Sequence, residues 1–210
     1  MEWIPVAEQK QARYAETHGE LDERALVRRG NLAYAAGLCL LMAGSPDAPR
    51  WLRHASARWR ESWDAGEGTE TWGRPIGALK AALLAGDDAA AGELARWTLG
   101  LGTAAAGSPV GRYAAVLALL ALRRRAEAAP VARSLRGADG FPADVADALV
   151  AIARSDGGGY AAAVASVVAS FETREAYLED VAVADTALVL AELARRNGLD
   201  RPLPASPTLP

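Results

Sequence analysis

The sequence is poor in the residues that build disulfides, β-sheets and metal sites. Cys39 is the single cysteine, so no intrachain disulfide can form, and its place in an apolar run predicts a small core residue. His18 and His54 are the only histidines, too few to supply a ligand set for a metal. The chain holds 3 isoleucines against 49 alanines, so helix formers dominate and an all-α fold is predicted.

Long apolar runs and an excess of positive charge are also missing. The longest apolar stretch, residues 32–44, is too short to cross a bilayer, and the start of the chain has neither a basic region nor an apolar core typical of a signal peptide. We therefore expect a cytoplasmic protein that does not associate with a membrane. The net charge of −3 argues against nucleic acid as a partner, because phosphate binding requires a basic excess.

Helical periodicity and turn signals predict stacked antiparallel helical hairpins. Turns near positions 45, 87, 125 and 157 are separated by 42, 38 and 32 residues, close to the repeat length of a degenerate tetratricopeptide-like array. We expect one domain over residues 1–210, with residues 1–20 peripheral and residues 199–210 forming an extended, proline-rich tail. The predicted helices lie over residues 7–16, 21–43, 45–64, 75–83, 94–101, 109–122, 131–135, 145–152, 160–171 and 181–196, with a D-G-G-G turn over residues 156–159.

The last predicted helix contains one charged residue, Asp185, within its apolar run. A buried carboxylate needs an arginine, backbone N–H groups or water. Three roles stay open for Asp185. It caps the helix at Thr186 or pairs with an arginine, it belongs to a ligand or partner site, or it acts as an acid or base in catalysis.

Directly before this helix lies an acidic segment, residues 172–180. It contains Glu172, Glu175, Glu179 and Asp180, and only Arg174 offsets them. One interpretation is a solvated turn. The other is an interaction surface, because the aromatic residues Phe171 and Tyr177 interleave with the charges, as is common at protein interfaces.

A second candidate region is the glycine-rich loop at residues 65–75. Its glycines lack the spacing and the preceding strand of a phosphate-binding loop, so no nucleotide site is predicted. Trp72 and Arg74 either form a rim that stacks or pairs with a ligand, or simply pin the loop to the body of the protein.

No catalytic motif stands in its required context, so no catalytic residue and no cofactor is predicted. A protein without enzymatic activity is favoured. An enzyme stays open as an alternative, since carboxylates, arginines and tyrosines of distant hairpins can meet in space.

Several motifs resemble the immunity protein 49 family of bacterial polymorphic toxin systems. They are Y-L-E-D-V-A-V-A-D-T-A-L-V-L at residues 177–190, L-A-R-R-N-G-L at 193–199, the terminal L-P-A-S-P-T-L-P, W-G-R-P at 72–75, A-L-L-A-G-D at 82–87 and F-E-T-R-E-A-Y at 171–177. The resemblance implies an all-α protein that binds and neutralises a cognate toxin. It places the candidate site at Trp72, Arg74, Glu172, Arg174, Glu175, Tyr177, Glu179, Asp180 and Asp185.

Three hypotheses follow. The leading one is a toxin-neutralising immunity protein whose acidic segment meets a basic toxin surface. The second is a small-molecule enzyme or ligand-binding protein, in which Asp185, Arg74 and Tyr177 converge on a polar pocket between helical hairpins. The third is a general peptide-binding scaffold that uses the concave face of the helical array.

Overall fold

A computed structural model describes residues 2–17, 22–66 and 71–210 of the chain. Within these ranges the secondary structure is helical without any strand, which confirms the all-α prediction. The helices are α1 (Trp3–Glu16), α2 (Glu23–Met42), α3 (Ala48–Asp64), α4 (Gly73–Leu84), α5 (Asp88–Gly100), α6 (Pro109–Ala121), α7 (Arg125–Arg133), α8 (Ala143–Arg154), α9 (Gly157–Glu172) and α10 (Asp185–Arg196). None of these helices combines the length and the apolar character that crossing a membrane demands.

The chain forms two compact units. Unit 1 comprises residues 1–87, 174–183 and 207–210, and unit 2 comprises residues 88–173 and 184–206. In unit 1, α1 packs on α2, α2 on α3 and α3 on α4. In unit 2, each of α5 to α8 packs on the next helix, and α10 lies against α6, α8 and α9.

Consecutive helices therefore pack in pairs, as the predicted hairpins require. The pairs α2–α3, α6–α7 and α8–α9 are each joined by a short turn. The predicted pairing of α4 with α5 stays a prediction, because the boundary between the units falls at Asp87, between these two helices. The single-domain organisation likewise stays a prediction.

Close helix contacts in unit 1 are made possible by glycines that face a tryptophan. Trp59 of α3 is 6% exposed, and its indole N–H donates to Asn31 Oδ1 at 3.2 Å. A Cβ atom added to Gly30 of α2 or to Gly77 of α4 would lie 2.7 Å from the Trp59 ring. Glycine at both positions thus lets α2 and α4 approach the same indole from two sides.

Two helices of unit 2, α6 and α9, begin after side-chain caps. The Gly111 N–H donates to Ser108 Oγ at 3.1 Å, and the Gly159 N–H donates to Asp156 Oδ1 at 2.9 Å. The second cap corrects the predicted D-G-G-G turn over residues 156–159. With Asp156 as the cap, all three glycines lie in the first turn of α9, and the connection is confined to residues 155–156.

The predicted last helix over residues 181–196 was wrong at its start. Residues 181–184 are not helical, and α10 begins only at Asp185. Val181 has an extended backbone, and the Val183 N–H donates to the Val181 carbonyl at 2.9 Å, so a tight turn precedes the helix. The valine side chains are nevertheless buried. The predicted stop was right, since α10 ends at Arg196 and Gly198 follows with φ +84°.

At the N-terminus, α1 begins at Trp3, four residues earlier than predicted. The tail over residues 199–210 contains no helix, as expected for a segment rich in proline. The predicted loop of residues 65–75 is shorter than expected because α4 already begins at Gly73. Positions 18–20, the predicted helix start at 21 and loop positions 67–70 lie outside the described residues.

Candidate functional site

The part of the acidic segment that belongs to unit 1 is the acidic loop, residues 174–180. Its second half, Leu178–Asp180, is a 3₁₀ turn in which the Asp180 N–H donates to the Tyr177 carbonyl at 3.2 Å. Glu179 and Asp180 both have left-handed backbones, with φ +53° and +59°. This conformation is unfavourable for residues other than glycine, so other contacts must hold the loop in place.

The Glu179 side chain makes those contacts with α1. Its Oε2 atom lies 3.4 Å from Lys10 Nζ and 3.4 Å from Arg13 Nη1, two cations on neighbouring turns of one helix face. The Lys10 side chain is 6% exposed and the Glu179 side chain 17%. Glu179 was predicted as a contact residue, but in this geometry its carboxylate faces inward and fastens the loop to α1.

Other side chains of the acidic loop point to solvent. Glu175 and Asp180 are exposed, and neither forms an ion pair with another described residue. Leu178 lies between them and is 45% exposed. Arg174 is exposed and Tyr177 is half-buried. The loop therefore presents one exposed apolar side chain and two exposed carboxylates.

Leu178 is the residue that sequence reasoning missed. A leucine beside a predicted apolar helix is normally assigned to the core, because hydrophobic periodicity is counted without knowing where the helix begins. The useful signal is the Y-L-E-D order, which places the leucine within a short run of charged residues rather than in an apolar stripe.

Two positions singled out from the sequence lie at the end of α9, in unit 2. Glu172 is the last residue of α9 and is exposed. Phe171, which was expected to contribute to an interaction surface, is only 3% exposed, so that expectation was wrong. The ring is drawn inward because it continues the buried face formed by Tyr160, Val164 and Val167 along α9.

Asp185 is the first residue of α10 and is half-buried. A carboxylate in the first turn interacts favourably with the positive end of the helix dipole. Its Oδ1 accepts a hydrogen bond from Thr186 Oγ1 at 3.3 Å. The pKa of Tyr113 in α6 is raised well above its ordinary value, mainly by burial and further by the negative charge of Asp185. Asp185 therefore lies near the Tyr113 phenol and begins the helix, and Ala184 occupies the N-cap position.

Trp72 and Arg74 hold the start of α4 against the rest of unit 1. The Trp72 ring stacks on Trp63, with centroids 6.0 Å apart and an interplanar angle of 25°. Arg74 is 8% exposed, donates from Nη1 to the Ser62 carbonyl at 2.8 Å and forms an ion pair with Glu23. These contacts favour the interpretation in which the two residues pin the loop.

The polar pocket of the second hypothesis stays a prediction. Arg74 directs its hydrogen bonds to Ser62 and Glu23, Tyr177 belongs to the acidic loop, and Asp185 belongs to unit 2. Two cavities of unit 2, of about 480 and 530 Å³, are lined by other residues.

The described residues contain neither an exposed thiol nor a cluster of possible metal ligands. Cys39 is fully buried, which confirms its assignment to the core. Burial raises the pKa of its thiol to about 11, although the positive charge of Lys10 acts in the opposite direction. No group of three or more histidine, cysteine, aspartate or glutamate side chains is arranged to hold a metal ion among the residues the structure describes.

No family model, no curated protein and no solved structure matches this chain. The fold is therefore established from the structure alone. The similarity to the immunity protein 49 family rests on the sequence motifs and stays a prediction.

Proposed function

We propose that this chain is a cytoplasmic immunity protein that binds a cognate toxin and neutralises it by protein–protein contact, without catalysis. The acidic loop is the proposed binding surface. The observation that carries the proposal is the exposure of Leu178 between Glu175 and Asp180, on a backbone that an ion pair holds to α1.

The composition of the loop suits a protein partner with a basic surface. Binding energy at interfaces is concentrated in a few side chains that become fully desolvated, and surrounding polar groups exclude water. Leu178 supplies the apolar centre, and the two carboxylates supply charge complementarity, which accelerates association with a basic partner.

The attachment of the loop also favours binding. A flexible loop loses conformational freedom when it binds, at a cost of about 0.5–1.5 kcal/mol for each immobilised side chain. In this protein two contacts order the loop before it binds. One is the ion pair between Glu179 and Lys10, and the other is the hydrogen bond from the Val181 N–H to the Leu178 carbonyl, which is 3.2 Å long.

The test is a kinetic binding measurement with the toxin encoded beside the gene for this chain. A double variant, Glu175→Lys and Asp180→Lys, is compared with wild type and with the control Glu93→Lys and Asp139→Lys. The control residues are exposed positions of unit 2 and change the net charge equally. Because electrostatic steering changes association rates by about 10- to 1000-fold, we expect the loop variant to associate at least about tenfold more slowly at low salt.

The control should associate within about twofold of wild type, since its charges lie outside the loop. Leu178→Ala should act differently and accelerate dissociation, because it removes an apolar contact and leaves the charge unchanged. If the loop variant and the control slow association equally, only net charge matters and the proposed surface is wrong. If toxin neutralisation survives both loop changes, the site lies elsewhere.

A further inference from the structure

Unit 2 contains an open surface cavity whose strongly basic lining is exposed to solvent and is not used by the proposed toxin contact. It has a volume of about 530 Å³ and lies between the α6–α7 turn and the end of α8. Its polar lining consists of Arg123, Arg124, Arg125, Glu127, Arg154 and Ser155. From the sequence, residues 123–125 were expected only to close a helical hairpin.

The charges in this cavity are not balanced. Arg124 is held by Glu127, with distances of 2.6 and 2.5 Å between the guanidinium nitrogens and the carboxylate oxygens. Arg123, Arg125 and Arg154 form no ion pair with any described residue. The lining therefore carries a net charge of +3, whereas unit 2 contains eleven basic and eleven acidic residues and is neutral as a whole.

Arg123 has a left-handed backbone, a conformation that favours glycine. Arg123 follows the end of α6 with φ +59°, and the Arg124 N–H closes the turn onto the Leu119 carbonyl at 2.8 Å. At the same position after α2, α4 and α10 the chain has Gly44, Gly86 and Gly198. Glycine adopts this conformation without a steric penalty, so arginine is the less stable choice at this turn.

The same pattern occurs on the opposite wall of the cavity. Ser155 ends α8 with φ +57°. The Ser155 and Asp156 N–H groups donate to the Ile152 and Ala151 carbonyls at 3.1 and 2.9 Å, so these carbonyls at the negative end of α8 are already satisfied. Arg154, the last residue of α8, lines the cavity next to this turn.

The first turn of α7 adds hydrogen-bond donors to the cavity. The N–H groups of Arg125 and Ala126 donate to no backbone carbonyl in the described ranges, as expected for the first residues of a helix. Such groups bind anions, and here they lie beside three uncompensated guanidinium groups.

From this arrangement we propose that the cavity binds a small phosphate-bearing molecule. Guanidinium groups pair with phosphate oxygens through two parallel hydrogen bonds, and several of them can share one phosphate group. The small extent of the site favours a compact anion over an extended nucleic acid, in keeping with the overall negative charge of the chain.

The probe is pyrophosphate in metal-free buffer, measured by titration calorimetry with the full chain. The test variant is Arg123→Gln, Arg125→Gln and Arg154→Gln in combination. The control is Arg96→Gln, Arg133→Gln and Arg201→Gln, which removes the same charge from exposed positions of unit 2. We expect the test variant to bind at least about tenfold more weakly than wild type, because each charge-assisted hydrogen bond alone accounts for about a tenfold effect.

The control variant should bind as wild type does, and citrate should bind more weakly than pyrophosphate because carboxylates lack the tetrahedral phosphate geometry. Absence of pyrophosphate binding to wild type, equal loss in both variants, or equal binding of citrate would each overturn the proposal.

A second variant separates ligand binding from folding. Arg123→Gly relieves the left-handed backbone, so it should raise the melting temperature of the protein. If Arg123 contacts the ligand, the same variant should bind pyrophosphate about tenfold more weakly in spite of its greater stability. Unchanged affinity in this more stable variant would show that Arg123 takes no part in binding and would contradict the proposed site.

Discussion

Replacing Glu179 by glutamine should destabilise the protein strongly, although the residue lies in an acidic loop. The substitution keeps the shape of the side chain and the left-handed backbone at φ +53°, and it removes only the negative charge. Lys10, whose side chain is 6% exposed, then loses the carboxylate that lies 3.4 Å from its ammonium group. The free energy of unfolding should fall because the mostly buried ammonium group of Lys10 is then left without a counter-ion.

The magnitude follows from the burial of the two partners. Removing one partner of a fully buried ion pair costs about 3–5 kcal/mol. Glu179 retains 17% exposure and the distance is long, so water can compensate part of the loss at Lys10. Arg13 is 49% exposed, and its contact with Glu179 contributes little. We therefore expect a loss of about 2–3 kcal/mol in the free energy of unfolding.

Urea unfolding followed by circular dichroism measures this loss. The variants are Glu179→Gln, Lys10→Met and the combination of both. Once Lys10 is replaced by methionine, the glutamine has no buried cation to leave unpaired, so the double variant should be more stable than the sum of the single effects implies. A loss below about 0.5 kcal/mol for Glu179→Gln, or strict additivity of the two changes, would refute the reasoning.

Four further predictions concern single residues. Tyr160→Phe should leave stability unchanged or raise it by about 1 kcal/mol in urea unfolding, because the buried hydroxyl has no hydrogen-bond partner among the described residues. Asp180→Gly should raise the unfolding free energy by about 0.5 kcal/mol by relieving its positive φ, and a loss of stability would contradict this. Burial and nearby arginines lower the pKa of His54 from 6.5, so folding favours its neutral form. The stability of the protein should therefore fall as the pH drops below 6.5. His54→Gln should reduce that fall, which is measured as the melting temperature at each pH. Cys39 should resist iodoacetamide in the native protein and react in urea, since burial raises the pKa of its thiol to about 11; equal alkylation rates would disprove its burial.

Much of the fold could be predicted because its signals are local. The Ser108 cap and the Gly198 stop each act within four residues of the helix end they define. Apolar periodicity then identified the helices between these signals. The start of α10 was mistaken because Val181 and Val183 fit an apolar helix as well as a buried non-helical segment.

The candidate site was less predictable because its decisive contact is not local. Glu179 and Lys10 are separated by 169 positions in the sequence, and nothing in either local pattern shows that they pair. Because Glu179 pairs with Lys10, it has a structural role. The exposed candidates for binding in the loop are then Glu175, Leu178 and Asp180. The net charge of the acidic segment was evident from the sequence, but which carboxylates face solvent was not.

The uncompensated arginines at the α6–α7 turn show the same limit. The run of three arginines at residues 123–125 is plain in the sequence and was taken as the closing turn of a hairpin. In the folded chain Arg125 already belongs to α7, and Arg154 joins the cluster from the end of α8. A cavity formed by two turns that lie about thirty residues apart cannot be identified from the composition of either one.

Hydrogen–deuterium exchange of the chain with and without the toxin encoded beside its gene tests the central claim most directly. Binding through the acidic loop predicts that the amides of residues 174–180 exchange more slowly in the complex, with the largest change around Leu178. A complex that forms and leaves exchange in this loop unchanged, while it slows exchange in another part of the chain, would contradict the account.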